Sequence, residues 1–162
     1  MIKGTPRIGL GRDLHKLAPG RRFLLAGVEI PCEKGEIGHS DADALAHAVI
    51  DAILGAAGAG DVGELFPDAD PAYRGADSML LLKRAFDRVK SGGWRVVNVD
   101  CVVTCETPKI LPHREKIRAA LAEALETDAG AIMVKGKTNE GIDAIGQGNA
   151  VEALAVCLLE SI

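Results

Sequence analysis

Aromatic side chains are scarce, only 3% of the residues, which excludes a base-stacking platform or an aromatic sugar-binding cleft and leaves the core to aliphatic residues. No apolar run reaches about 18 residues, and no basic start leads into an apolar stretch with a small-residue cleavage site, so neither a membrane span nor a secretory signal is read. Lys and Arg form no block, and 23 acidic against 19 basic residues give a formal charge of -4, which argues against nucleic acid as a partner. The four cysteines, Cys32, Cys101, Cys105 and Cys157, make no C-x-x-C pair. A chain of 162 residues folds without disulfide staples, so a reducing compartment is expected, with Cys101 and Cys105 as buried thiols on the apolar face of a strand. Gly141, Gly146 and Gly148 lack the strand, spacing and following helix of a dinucleotide fingerprint.

What is present suits one mixed domain spanning 1–162, with no repeat, long linker or low-complexity tract. From Arg7 to His15 the chain alternates: Ile8, Leu10, Arg12 and Leu14 point one way, Gly9, Gly11, Asp13 and His15 the other. This predicts a strand with one apolar face and one uncluttered chemical face. Phe23 to Ile30, broken by Gly27 and closed by Pro31, reads as a hairpin or edge ribbon. Ser40 followed by Asp43 is a variant capping box opening a helix that runs to Ala57. In it Ile50 and Leu54 lie opposite the Leu45, Val49, Ala52, Ile53 and Ala56 stripe, so the helix is covered on two sides. A second helix, capped by Asp77 or Ser78, carries Met79, Leu82, Phe86 and Val89 and stops at Gly92-Gly93. Trp94 to Glu106 returns to a two-residue period with Val97, Val99, Cys101, Val103 and Cys105 on one face. A third helix follows Pro112, and Ala131 to Thr138 reads as a strand. Ala150 to Leu159 is too evenly apolar for periodicity to choose between helix and strand.

Asp13 and His15 share a face two residues apart, and a carboxylate oxygen with a neutral imidazole suits Zn²⁺. His47, opposite the Leu45 stripe, is the natural third ligand, with Asp51 one turn on to hold its other ring nitrogen. Three protein ligands leave an open position, the arrangement of a working metal. His39-Ser40-Asp41 sits at a helix start, where backbone N–H groups favour phosphate. The acid-rich stretch Asp61 to Asp70 reads equally as a solvated turn, while Thr107-Pro108-Lys109 reads first as an ordinary loop and second as a constrained backbone and cation for a phosphate or a base edge. Lys137-Thr138-Asn139-Glu140 offers a hydroxyl and a carboxylate for Mg²⁺. The same residues admit a zinc phosphoesterase using metal-bound water, and a non-catalytic metal-bound assembly module, although the latter needs a fourth protein ligand that is not evident.

Asp13-Leu14-His15, Glu33-Lys34-Gly35, His39-Ser40-Asp41-Ala42-Asp43 with His47, Gly60-Asp61-Val62-Gly63 and Leu65-Phe66-Pro67-Asp68-Ala69-Asp70-Pro71 together closely resemble the 2-C-methyl-D-erythritol 2,4-cyclodiphosphate synthase family. The likeness continues through Gly75-Ala76-Asp77-Ser78, Asn98-Val99-Asp100, Pro108 to His113 and Lys137 to Glu140. It implies an α/β subunit, a mixed sheet covered by helices on one face, in a homotrimer with active sites between neighbours. The implied substrate is cytidine diphosphate-linked: 4-diphosphocytidyl-2-C-methyl-D-erythritol 2-phosphate, cyclised with release of CMP. By the same resemblance Asp13, His15 and His47 hold Zn²⁺ or a similar cation, and Glu140 holds Mg²⁺ or Mn²⁺ with the substrate. His39 and Thr138 match positions that stabilise the transition state. Leu14 and Ser40 match substrate contacts, Asp61, Val62 and Gly63 with Phe66, Pro67, Asp68, Ala69 and Asp70 the erythritol loops. Cys105, Glu106, Thr107, Pro108, Lys109, Ile110 and Leu111 match the cytidine pocket, with Lys137 and Asn139 beside the nucleotide. Leu10 stands where some members carry histidine, and Lys137 where a threonine is common; Ala144 and Gln147 replace an aromatic residue and an arginine that line a central trimer cavity in some members. The expected location is the bacterial cytoplasm, or a plastid-type compartment if a transit peptide has been trimmed.

Overall fold

Alternation of small and large residues along two long strands sets the architecture. The structure, a computed structural model describing residues 4–67 and 69–162, has the strands β1 (Pro6–Pro19), β2 (Phe23–Leu25), β3 (Val28–Ile30), β4 (Lys34–Ile37), β5 (Trp94–Thr104), β6 (Ile132–Lys137) and β7 (Ala150–Ser161). Its helices are α1 (Ala44–Ala57), α2 (Val62–Leu65), α3 (Ser78–Ser91), α4 (Arg114–Ala124) and α5 (Asp143–Gly146). The main sheet runs β4-β1-β7-β5-β6, antiparallel except for the β5–β6 pair, which α4 connects; β2 and β3 form the expected hairpin. The segment that periodicity left open is β7, the central strand, paired to β1 on one side and β5 on the other.

The glycine face of β1 is not uncluttered. Gly9 and Gly11 point at α1, and a Cβ on either would lie 1.9 Å from a carbonyl oxygen, Ala52 O and Ala48 O respectively. The Ala48, Ala52 and Ala56 ridge of α1 thus rests directly on the strand, and α3 covers the helix's other side, so α1 is the buried centre of the fold. The face with the larger residues is the open one: Ile8, Leu10, Leu14, Met133 and Val156 are all exposed there. The expected β5 face is also corrected. A bulge between Val96 and Asn98 shifts the alternation, so Trp94 and Val96 join Val99, Cys101 and Val103 in the core and Val97 does not.

Candidate metal and phosphate site

β1 carries Asp13 and His15 to its helix-facing side, and α1 brings His47 over them. Asp13 Oδ2 lies 2.9 Å from His47 Nδ1 and 3.1 Å from His15 Nε2, with the two imidazoles edge to face. Among the described residues, these three form the group of His, Cys, Asp or Glu whose ligand atoms all lie within 4.8 Å of one another. One carboxylate oxygen and two imidazole nitrogens fit a divalent cation. Burial pushes the Asp13 carboxyl up, but hydrogen bonds from His15 and His47 outweigh it and hold it below the usual carboxylate range. Burial pulls His15 down, but its bonds to Asp13 and Glu36 outweigh that and lift it to about 10.

The outer nitrogens of both histidines are already engaged. His15 Nδ1 donates to Ala42 O at 2.8 Å and lies 3.2 Å from Glu36 Oε2. Ala42 supplies that carbonyl from the left-handed region at φ 64, and Gly38 keeps the loop close, since a Cβ there would lie 3.3 Å from His15 Cε1. His47 Nε2 is 3.0 Å from both Ser40 Oγ and Ser78 Oγ. Ser78 gives its own proton to Asp41, so it accepts from His47 Nε2–H and leaves Nδ1 as the nitrogen facing Asp13. Asp51 does not hold His47. Its carboxylate accepts from Val62 N at 2.8 Å and anchors α2, because the α1 surface at Asp51 faces that turn. Ser78 and Asp41 take the orienting role, which sequence reading missed because both also read as ordinary helix-cap residues.

The capping box resolves differently as well. Asp43 is the N-cap of α1, accepting from Ala46 N, and its other oxygen takes Gly27 N of the hairpin; Ser40 is freed for His47. With Ala44 N bound to Glu36, the Ala44 and Ala46 donors of the first turn are both taken by protein carboxylates.

A cavity of about 320 Å³ opens over the triad. His39 and Ser40 line it with Val62, Gly63 and Phe66, as expected, and Gly38, Tyr73 and Leu81 add walls the sequence did not signal. Asp61 caps α2 and Asp70 caps the turn at Pro71–Tyr73. Pro67 and Ala69 are not among the cavity's lining residues, and Asp68 lies outside the described residues. Leu14 turns its side chain to the open sheet face, contributing only its N–H to Asp13 Oδ1.

Cys105, Pro108, Lys109, Ile110 and Leu111 assemble with Lys137 and Thr138 around a second cavity of about 210 Å³. The two cavities share no lining residue. Arg114, unremarked in the sequence, joins Lys109 and Lys137, and among the described residues no carboxylate lines the space. Glu106 accepts from Asn139 N at 2.8 Å, tying the two loops together, and Thr138 Oγ1 donates to Glu140 at 2.6 Å. Thr107 stands outside this lining, joined to Pro108 by a cis peptide bond. Within one chain His39 and Thr138 therefore line different cavities, and Glu140, bonded to Thr138, lines neither of these two. The four cysteines are free thiols, three of them buried.

Fold and site thus define an α/β protein with three side chains able to hold a divalent cation beside one cavity and Lys109, Arg114 and Lys137 around a second. The chain belongs to the YgbB family, whose sequence profile matches residues 6–160. It is 53% identical to the 2-C-methyl-D-erythritol 2,4-cyclodiphosphate synthase of Chloroherpeton thalassium over 96% of this chain and 99% of that one. Among solved structures, a 2C-methyl-D-erythritol-2,4-cyclodiphosphate synthase in its CDP-bound form superposes with TM-score 0.87 at 40% identity, covering 94% of this chain and 99% of the other. The bifunctional IspDF of Campylobacter jejuni gives TM-score 0.94 at 39% identity, matching 98% of this chain and 43% of its own longer chain.

Proposed function

We infer that the protein converts 4-diphosphocytidyl-2-C-methyl-D-erythritol 2-phosphate to 2-C-methyl-D-erythritol 2,4-cyclodiphosphate with release of CMP, a step of the non-mevalonate isoprenoid pathway. Likeness to the named synthases over nearly the whole chain supports this reading, and the observation that carries it is the Asp13, His15 and His47 triad under a cavity of about 320 Å³. A 2-phosphate oxygen forms a bond to the β-phosphorus in line while the bond from β-phosphorus to the bridging oxygen breaks, and the electron pair leaves with CMP. The nucleophile is already ionised, so no side chain need remove a proton. The difficulty is to hold anions together against their repulsion, a task of positioning and charge.

Lys109, Arg114 and Lys137 neutralise the nucleotide phosphates, and the walls at Cys105, Pro108 and Leu111 enclose cytidine. Val62, Gly63 and Phe66 enclose the erythritol, and His39 and Thr138 donate hydrogen bonds to charge that grows in the transition state. When bound, Zn²⁺ or a similar cation on the triad and Mg²⁺ or Mn²⁺ on Glu140 supply positive charge to the diphosphate. The separation of the half-sites and the open apolar face at Ile8, Leu10 and Val156 both favour a homotrimer, one chain's triad cavity meeting a neighbour's nucleotide cavity. No helix among the described residues is long and apolar enough to cross a membrane, in keeping with a cytoplasmic enzyme.

The test is to incubate the purified protein with the cytidyl substrate, Zn²⁺ and Mg²⁺ and to identify products by mass. A cyclic diphosphate with CMP is expected; simple hydrolysis products would assign a phosphoesterase instead. His47→Ala is expected to lose cation and turnover while remaining a folded oligomer.

A further inference from the structure

Glu36 has no part in the reaction derived above, yet its carboxyl is wholly shielded from solvent beside the triad. It lies on β4 opposite Leu17 of β1, a register that aims the side chain under His15. Oε2 accepts from Ala44 N at 2.9 Å and faces His15 Nδ1 at 3.2 Å, while Oε1 is buried without a partner. Burying a carboxyl that is only half satisfied costs stability, and the bond to Ala44 N, at a helix start that Asp43 already caps, leaves Oε1 unpaired. Geometry supplies a reason. The Nδ1–H of His15 is gripped from two directions, by Glu36 from β4 and by the Ala42 carbonyl from the loop before α1, so Nε2 is the nitrogen turned toward Asp13.

We propose that Glu36 is a positioning residue for cation binding: its carboxylate fixes the tautomer and ring orientation of His15 and makes Nε2 a stronger donor to the ion. This rests on the reading of Asp13, His15 and His47 as a cation site. Ser78 with Asp41 plays the corresponding part at His47, so each histidine ligand is backed by an acid, one directly and one through a hydroxyl. Glu36 touches no reacting atom and acts only through His15.

The experiment measures the Zn²⁺ dissociation constant at pH 8 by competition with a chromophoric chelator, for wild type, Glu36→Gln and Glu36→Leu, with thermal melts in chelator to report the fold. Wild type binds one ion per chain. Loss of the acid backing a histidine ligand weakens binding by about 10- to 100-fold, with Glu36→Leu at the upper end and Glu36→Gln, which keeps shape and an acceptor but not the charge, at the lower. A Glu36→Gln protein that binds Zn²⁺ within twofold of wild type overturns the proposal, whatever the leucine variant does. A wild-type chain that binds no Zn²⁺ overturns the cation reading and the proposal with it.

Discussion

Gly11→Ala tests whether the spacing between β1 and α1 builds the site. The new Cβ would lie 1.9 Å from Ala48 O and 2.8 Å from Ala52 N, both rigid helix backbone. No rotamer relieves such a contact, so α1 must retreat by about 1 Å, an overpacking cost of roughly 1–3 kcal/mol. For a chain of this length each kcal/mol lowers the melting temperature by about 2–4 °C. Function suffers more than stability. His47 rides on α1 next to Ala48, while Asp13 follows Gly11 by two residues on β1, so the retreat opens the 2.9 Å contact between them. Metal sites tolerate about ±0.2 Å in ligand distance, and a misplacement of about 1 Å costs on the order of 10²-fold in rate. Gly55→Ala is the matched control: it sits on the same helix with nothing within 4 Å of its added Cβ, and it should gain about 0.5–1 kcal/mol. Thermal melts, chelator competition and product formation read all three quantities. A Gly11→Ala protein with Zn²⁺ affinity and turnover within twofold of wild type would refute the claim that this glycine places the triad.

Cation binding must displace the proton that Asp13 and Glu36 stabilise on His15, so apparent Zn²⁺ affinity should strengthen by about tenfold per pH unit until about pH 10. Calorimetry in buffers of different ionisation heat checks this, and an absence of proton release counts against it. The metal-free fold should also lose stability as pH rises. His15 is raised from 6.5 to about 10, so its contribution is complete below 6.5 and is lost through about 10. Burial lifts Glu36 from 4.5 to about 7, so its share is lost across that interval; a melting temperature that climbs between pH 5 and 10 in chelator contradicts both. Leu10→Glu, at a side chain 66% exposed in the single chain, should leave the fold intact yet give monomers without turnover, whereas a trimer retained in sedimentation would remove the open sheet face from the interface. Glu140→Ala should weaken the Mg²⁺ requirement of the nucleotide complex, and an unchanged Mg²⁺ titration would deny Glu140 that role.

The sequence by itself determined which residues travel together. A two-residue period put Asp13 and His15 on one face, a helical period put His47 opposite the Leu45 stripe, and Asp77 and Gly92-Gly93 marked helix ends close to where they occur, while the Ser40 capping box set the start of α1 a few residues early. Periodicity records relative orientation within an element and says nothing about what lies across from it. Only the tertiary structure decided that the face of β1 with Gly9 and Gly11 is the packed one, because a helix of alanines approaches glycine more closely than it could Ile8 or Leu10. It likewise decided that β7 is a central strand, since partners on both sides satisfy its backbone, and that Val97 leaves the core through a bulge. Ser78 over Asp51 at His47, and Glu36 beneath His15, join elements distant in sequence, and such hydrogen bonds exist only once helix, strand and loop have docked.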